Sequence, residues 1–189
     1  MALARQFAPK RVLWLLLASL VAAGLVVLVM VVLGEYTKTR GRLFFTALSL
    51  SGCSLLALPP SVLAQRTNYR YWGYAGVGIA CVAYILVAGG NWGTPDSDAY
   101  WKAAGIASIG AGSLFQLCWL LLMTPKVFVA RAAWLTAGGA AGLVPILAGI
   151  AIIAEFKSGP FWWAVAVIVI VQVLGGVAAP ILNRWPFRT

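Results

Sequence analysis

Histidine is absent from this sequence, and only four of its 189 residues are acidic. The chain therefore lacks the commonest haem and metal ligand and the commonest general base. Its three cysteines, Cys53, Cys81 and Cys118, match no metal-binding spacing, and P-loop, GxSxG and HExxH patterns are also absent. The sequence predicts no metal, no cofactor and no enzymatic activity.

Charge is missing from six stretches of 23 to 26 residues, and their length indicates the surroundings of the protein. A helix of about 20 residues crosses the hydrocarbon core of a bilayer. Hydrophobic residues make up 62% of the chain, well above the roughly 45–50% of soluble domains. We expect an all-α integral membrane protein, with residues 1–189 forming one six-helix transmembrane domain. The expected spans are 12–34, 43–65, 71–90, 103–125, 132–154 and 161–183.

The first apolar stretch follows a basic start, as in a signal peptide, but it is longer than an h-region of about 7–15 residues. We therefore expect it to be retained as the first span. The formal net charge of +10 would suggest nucleic acid in a soluble chain. Beside membrane helices, however, Lys and Arg set orientation and contact lipid head groups. The expected surroundings are a lipid bilayer, with no nucleic acid.

Basic and acidic residues are distributed unequally between alternate links. The two termini and the links 66–70 and 126–131 hold nine basic residues and no acid. The other three links hold five basic residues and all four acids, which are Glu35, Asp96, Asp98 and Glu155. The positive-inside rule then predicts a plasma (inner) membrane protein with both termini in the cytoplasm.

The three links that carry the acids also resemble one another. Each contains an acid, then an aromatic residue, then a lysine, and the acids recur after 63 and then 57 residues (Glu35 to Asp98, Asp98 to Glu155). This spacing predicts three tandem helical hairpins of about 60 residues. The alternative is that any membrane hairpin has charged tips and no repeat exists.

Gln116 in the fourth span and Gln172 in the sixth put amides at membrane depth, where each needs a partner. We expect a hydrogen bond between helices, worth about 0.6 kcal/mol on average. The alternative is a polar lining for a small pathway, or for a lipid, quinone or pigment site. Gly138 and Gly142 form a GxxxG pattern that predicts close packing, within this chain or against another.

The link 90–101 is the most elaborate of the segments predicted to lie outside. Pro95 with the following Ser and Asp residues marks a turn into the fourth helix. We expect any recognition outside the membrane to involve this tip, although its aromatic residues also fit the interfacial belt. The candidate residues are Trp92, Asp96, Asp98, Tyr100 and Trp101.

Two segments of the chain carry a resemblance to known proteins: Leu-Gly-Glu-Tyr-Thr-Lys-Thr-Arg-Gly-Arg-Leu at 33–43 and Val-Leu-Gly-Gly-Val-Ala-Ala-Pro-Ile-Leu-Asn-Arg at 173–184. They resemble small uncharacterised multi-pass proteins of bacterial membranes. The resemblance extends over most of the chain through loose motifs, and it implies no activity.

Three functions remain open on the residues alone. We expect a non-catalytic accessory or structural subunit that packs against a larger membrane complex, because small residues are abundant and the spans lack central charges. The first alternative is a small transporter or channel for a neutral or lipid-like solute. The second is a lipid-modifying membrane enzyme with Glu35, Asp98 or Glu155 as its acid or base.

Overall fold

A computed structural model describes residues 38–125, 127–156 and 158–184, together with nine positions between Trp14 and Val29 that are all helical and exposed. The described part is helical and contains no strand. Its long helices are α1 (Lys38–Leu63), α2 (Arg70–Gly93), α3 (Asp98–Leu121), α4 (Phe128–Ile153) and α5 (Gly159–Arg184), with a 3-10 turn at Thr67–Tyr69.

All five helices are long and apolar enough to cross a membrane. The all-helical, membrane-type architecture predicted from the sequence is therefore present in the described residues, with five such helices where six spans were predicted. The first predicted span, 12–34, lies largely outside the described residues, and so does Glu35.

The helix bounds differ from the predicted spans because charge ends an apolar stretch without ending a helix. The predicted second span starts at 43, yet α1 starts at Lys38 and includes Arg40 and Arg42. Similarly, α3 begins five residues before the predicted position 103 and includes Lys102. Lys and Arg are good helix formers, and their long side chains can extend to water from a helix end.

The short links make consecutive helices antiparallel neighbours. The central helix is α3, because it contacts α1, α2, α4 and α5.

The acids of the described residues lie together. Asp96, Asp98 and Glu155 are at one end of the bundle, which we call the acidic end. The opposite end, which we call the basic end, carries Arg66, Arg70 and Arg131 among the described residues.

Small side chains form the core, and they let the helices approach closely. One cluster joins α1, α2 and α3 through Ala57, Ala80, Ala83 and Ala111. A second joins α3, α4 and α5 through Leu120, Ala137 and Ala179. α2 approaches the end of α1 closely at Gly73, where a Cβ would overlap the backbone of Ala64 and lie 2.7 Å from the carbonyl oxygen of Pro60.

Candidate functional site

Gln116 and Gln172 come together where α3 meets α5. The side-chain nitrogen of Gln116 donates a hydrogen bond to the backbone carbonyl of Gln172, not to its side chain. A residue one turn later would normally cover that carbonyl, but here it is Gly176, and a Cβ at this position would collide with the Gln116 amide. Gln172 itself is 6% exposed, and its side-chain oxygen has no hydrogen-bond partner among the described residues.

A groove of about 590 Å³ opens beside this contact, between α3 and α5. Its walls are mainly apolar, and the Gln116 amide is its principal polar group. The apolar lining is Phe115, Trp119, Val173, Val177, Pro180 and Ile181. The volume is within the range of pockets that hold small ligands. None of the lining residues is ionisable, so the groove suits an apolar or weakly polar molecule and offers no acid or base.

Thr46 makes three hydrogen bonds at the acidic end, and two of them join α1 to the end of α2. Its hydroxyl donates to the backbone oxygen of Arg42 at 2.8 Å. The same oxygen atom of Thr46 accepts from the indole nitrogen of Trp92 at 2.9 Å and from the side-chain nitrogen of Asn91 at 3.2 Å. Asn91 also donates to the Arg42 carbonyl at 2.9 Å. The only N–H of the Trp92 ring is therefore used to hold two helices together.

Tyr100 and Trp101 also donate their polar hydrogens to this protein's own backbone. The Tyr100 hydroxyl donates to the carbonyl of Leu86 at 2.6 Å, and the Trp101 indole donates to the carbonyl of Pro95 at 3.1 Å. Gly90 makes room for them, since a Cβ there would lie 2.8 Å from the Trp101 ring. Both aromatic residues therefore fix the link between α2 and α3.

Lys102 connects two acids that the sequence assigns to separate links. Its ammonium nitrogen lies 2.7 Å from a carboxylate oxygen of Asp98 and 2.5 Å from one of Glu155. The Asp98 and Glu155 side chains are 77% and 61% exposed. Both carboxylates are thus paired at a water-exposed surface, an arrangement typical of structural ion pairs.

Two adjoining cavities lie among α1, α2 and α3 at the acidic end. The polar cavity has a volume of about 890 Å³, and its polar lining includes Lys38, Arg42, Thr94 and Asp96. The apolar cavity has a volume of about 460 Å³, and its own lining includes Val87, Ala104, Gly105 and Ser108. Phe45, Asn91 and Trp101 line both. Of the predicted tip residues, Asp96 and Trp101 meet here, whereas Trp92, Asp98 and Tyr100 are not in either lining.

Gly138 and Gly142, the predicted packing motif, do not make the close contacts of α4. A Cβ on Gly138 would be 4.0 Å from the Leu120 side chain, and one on Gly142 would meet nothing within 4 Å. The buried positions of α4 are mostly alanines, and the full set is Ala130, Ala137, Ala140, Ala141, Val144, Ala148, Gly149 and Ala151. Within the described residues, α4 therefore packs mainly through other small side chains, and the packing of Gly138 and Gly142 against another chain stays a prediction.

Sequence reasoning missed Thr46, Asn91 and Lys102 as contacts between helices. The available signal was weak: Asn91 and Trp92 are adjacent donors at the end of an apolar stretch. Which acceptor they reach depends on how α2 is rotated about its axis relative to α1, and that rotation cannot be predicted from one sequence.

Within residues 38–125, 127–156 and 158–184, no group of three or more His, Cys, Asp or Glu side chains could hold a metal ion. No known protein family matches the chain, and comparison with curated proteins and with solved structures finds no significant match.

Proposed function

We propose that this is a non-catalytic integral membrane protein, an accessory subunit that packs against a larger membrane complex. The outward face of α4 supports this most, because Gly139 and Gly142 are exposed and a Cβ on either would meet nothing within 4 Å. Small residues are enriched where membrane helices meet, since they let backbones approach closely. Leu143 and Ile146 on the same helix are 51% and 59% exposed. A transmembrane helix of another subunit would cover this face.

The use of polar groups inside the bundle also favours a structural role. Besides the Gln116 contact, the Trp134 indole donates to the Leu120 carbonyl at 2.8 Å, and the Asn183 side chain donates to the Thr124 carbonyl at 3.3 Å. These donors connect α4 and α5 to α3 and to the link that follows it. A catalytic group or an ion pathway needs polar atoms that can exchange partners during the reaction or passage.

Purification from native membranes tests the accessory role. A tagged chain should co-purify with another membrane protein in a fixed ratio by native mass spectrometry. Gly142→Leu should release that partner, whereas Gly78→Leu, at an exposed glycine on α2 that also has no neighbour within 4 Å of a Cβ, should retain it. A monodisperse monomer with no co-purifying protein would contradict the proposal.

A small transporter or channel for a neutral or lipid-like solute is the second candidate, and the groove beside Gln116 favours it. Its lining is apolar with one amide, which suits a weakly polar solute. Flux into liposomes should then fall in Gln116→Leu, because the groove loses its polar group. Unchanged flux after replacement of both Gln116 and Gln172 by leucine would argue against this function.

The membrane arrangement that we propose has six spans in three tandem hairpins, a plasma (inner) membrane location and both termini in the cytoplasm. The common location of Asp96, Asp98 and Glu155 at the acidic end supports this orientation, together with the excess of basic residues in the other links. The acidic end would then face outward.

A further inference from the structure

We propose that the polar and apolar cavities at the acidic end together bind one glycerophospholipid, with its phosphodiester in the polar cavity and an acyl chain in the apolar cavity. The two cavities share three lining residues, so one elongated amphiphile can occupy both. This site is separate from the face of α4 on which the accessory role depends.

The charge of the polar cavity favours an anionic group. Lys38 and Arg42 are four residues apart on α1, which puts them on one face of that helix. Neither forms an ion pair among the described residues, and the lining contains one acid, Asp96. The neighbouring Asp98 is already paired with Lys102. Arg and Lys are the side chains that bind phosphate most strongly, through charge-assisted hydrogen bonds.

Two of the residues that line both cavities are held in place by the protein itself. Asn91 is fixed by its bonds to the Arg42 carbonyl and to Thr46, and Trp101 is fixed by its bond to the Pro95 carbonyl. A ligand would therefore enter a largely formed site and would not have to order these side chains, which reduces the entropic cost of binding.

The apolar cavity has the chemistry that an acyl chain requires. Four residues of α3 line it at spacings of three and four, so they share one face, and three of them are small: Trp101, Ala104, Gly105 and Ser108. The Ser108 hydroxyl already donates to the Ala104 carbonyl at 2.8 Å, so it requires no polar partner from a ligand. Ser108 lies ten residues after Asp98, which is roughly 15 Å along the helix at 1.5 Å per residue. The cavity thus extends to about the middle of a hydrocarbon core.

The position of the site favours a membrane lipid over a soluble phosphate. The cations are near the start of α1, and Trp92 and Trp101 lie at the ends of spans at the same end of the bundle, where head groups are expected. A soluble phosphate compound would leave the apolar cavity unused. The rival occupant within this chain is the segment that precedes Lys38.

Native mass spectrometry of the full-length protein, delipidated in detergent and then titrated with phosphatidylglycerol, tests the proposal. We expect one retained lipid, and retention weakened about tenfold or more in Lys38→Gln/Arg42→Gln. The matched control Arg66→Gln/Arg70→Gln removes the same charge at the basic end and should retain the lipid.

Ser108→Leu should fill the apolar cavity and weaken lipid retention several-fold. Thr136→Leu is the control and should not weaken it, because the exposed Thr136 hydroxyl also bonds only within its own helix. Circular dichroism and size-exclusion chromatography verify that each variant is folded.

Two simpler ligands test the role of the phosphate and the role of the acyl chains separately. Diacylglycerol, which lacks the phosphate, and glycerol phosphate, which lacks the chains, should each bind at least tenfold more weakly than phosphatidylglycerol. Equal binding of diacylglycerol would overturn the role of the cations, and equal binding of glycerol phosphate would overturn the role of the apolar cavity. Equal lipid loss from both charge variants would show that the retained lipid surrounds the bundle and does not occupy the two cavities. Absence of any retained lipid from the folded wild-type protein would mean that the chain fills the site itself, and the proposal would be wrong.

Discussion

Gln116 and Gln172 are 56 residues apart in the sequence, and the side chain of the first bonds to the backbone of the second. The contact exists because Gly176 exposes the Gln172 carbonyl. The preceding Gly175 lies against α4, where a Cβ would be 2.9 Å from that of Ala137. Two adjacent glycines thus let α5 approach two helices.

Gly176→Ala should destabilise the bundle by about 0.6 kcal/mol, and by at most about 1.7 kcal/mol, because the added methyl group displaces the flexible Gln116 amide from the Gln172 carbonyl. Reversible unfolding in mixed micelles measures this. The control is Gly139→Ala, which has no neighbour within 4 Å and should cost little. The double variant Gln116→Ala/Gly176→Ala should lose less than the sum of its single variants, since the first change removes the overlapping group. Simple additivity would contradict the contact.

Thr46→Val should separate the acidic ends of α1 and α2, because Trp92 and Asn91 lose a shared acceptor. The expected loss is about 0.6 kcal/mol for each bond, and up to about 1.7 kcal/mol. Thr136→Val is the control, as its hydroxyl donates only within α4. Trp92 fluorescence in a background without the other tryptophans should shift only in the Thr46 variant. The same emission in both variants would mean that the hydrogen bond is unimportant.

Lys102→Gln should lower the melting temperature slightly at low ionic strength and not at high salt. The two carboxylates that it pairs are mostly exposed, so salt screens their attraction to the ammonium group. Arg131→Gln, which changes the same charge at the basic end, should show no such salt dependence. A large loss of stability that persists in high salt would show that this ion pair is effectively buried.

Gly73→Ala should be among the most damaging single substitutions in the described part of the chain. A Cβ at this position overlaps the Ala64 backbone, and backbone cannot rotate away as a side chain can. We expect a loss of about 1–3 kcal/mol or a failure to fold. Gly78→Ala on the same helix should be neutral or stabilise by up to about 1 kcal/mol, because it meets nothing within 4 Å. Equal effects of the two substitutions would exclude the close approach of α1 and α2.

Cysteine labelling in intact cells tests the orientation. In a background where Cys53, Cys81 and Cys118 are replaced by alanine, single cysteines at Thr94 and Ser158 should react with a membrane-impermeant maleimide. Single cysteines at Asn68 and Thr189 should react only after the membrane is permeabilised. Reaction of the Asn68 variant from outside would mean that the protein is inverted or that a span was miscounted.

The hydrogen bond from the Gln116 side chain to the Gln172 backbone illustrates what a single sequence can and cannot predict. An amide at membrane depth requires a hydrogen bond, so the need for a partner was readable from the sequence. The partner atom was not, because a backbone carbonyl becomes available only where the next turn lacks a side chain. The same holds for Asn91, whose acceptors belong to another helix.

The sequence by itself determined the surroundings and the helical class, because long stretches without charge are stable only in a bilayer with every backbone group bonded within its helix. It also predicted that Asp96, Asp98 and Glu155 share one end, since they fall in alternate links. Only the tertiary structure decided which face of each helix is inside. In a membrane both lipid and protein neighbours are apolar, so no polar stripe marks the outer face. That is why Ala137 lies at the interface of α4 while Gly142 faces outward.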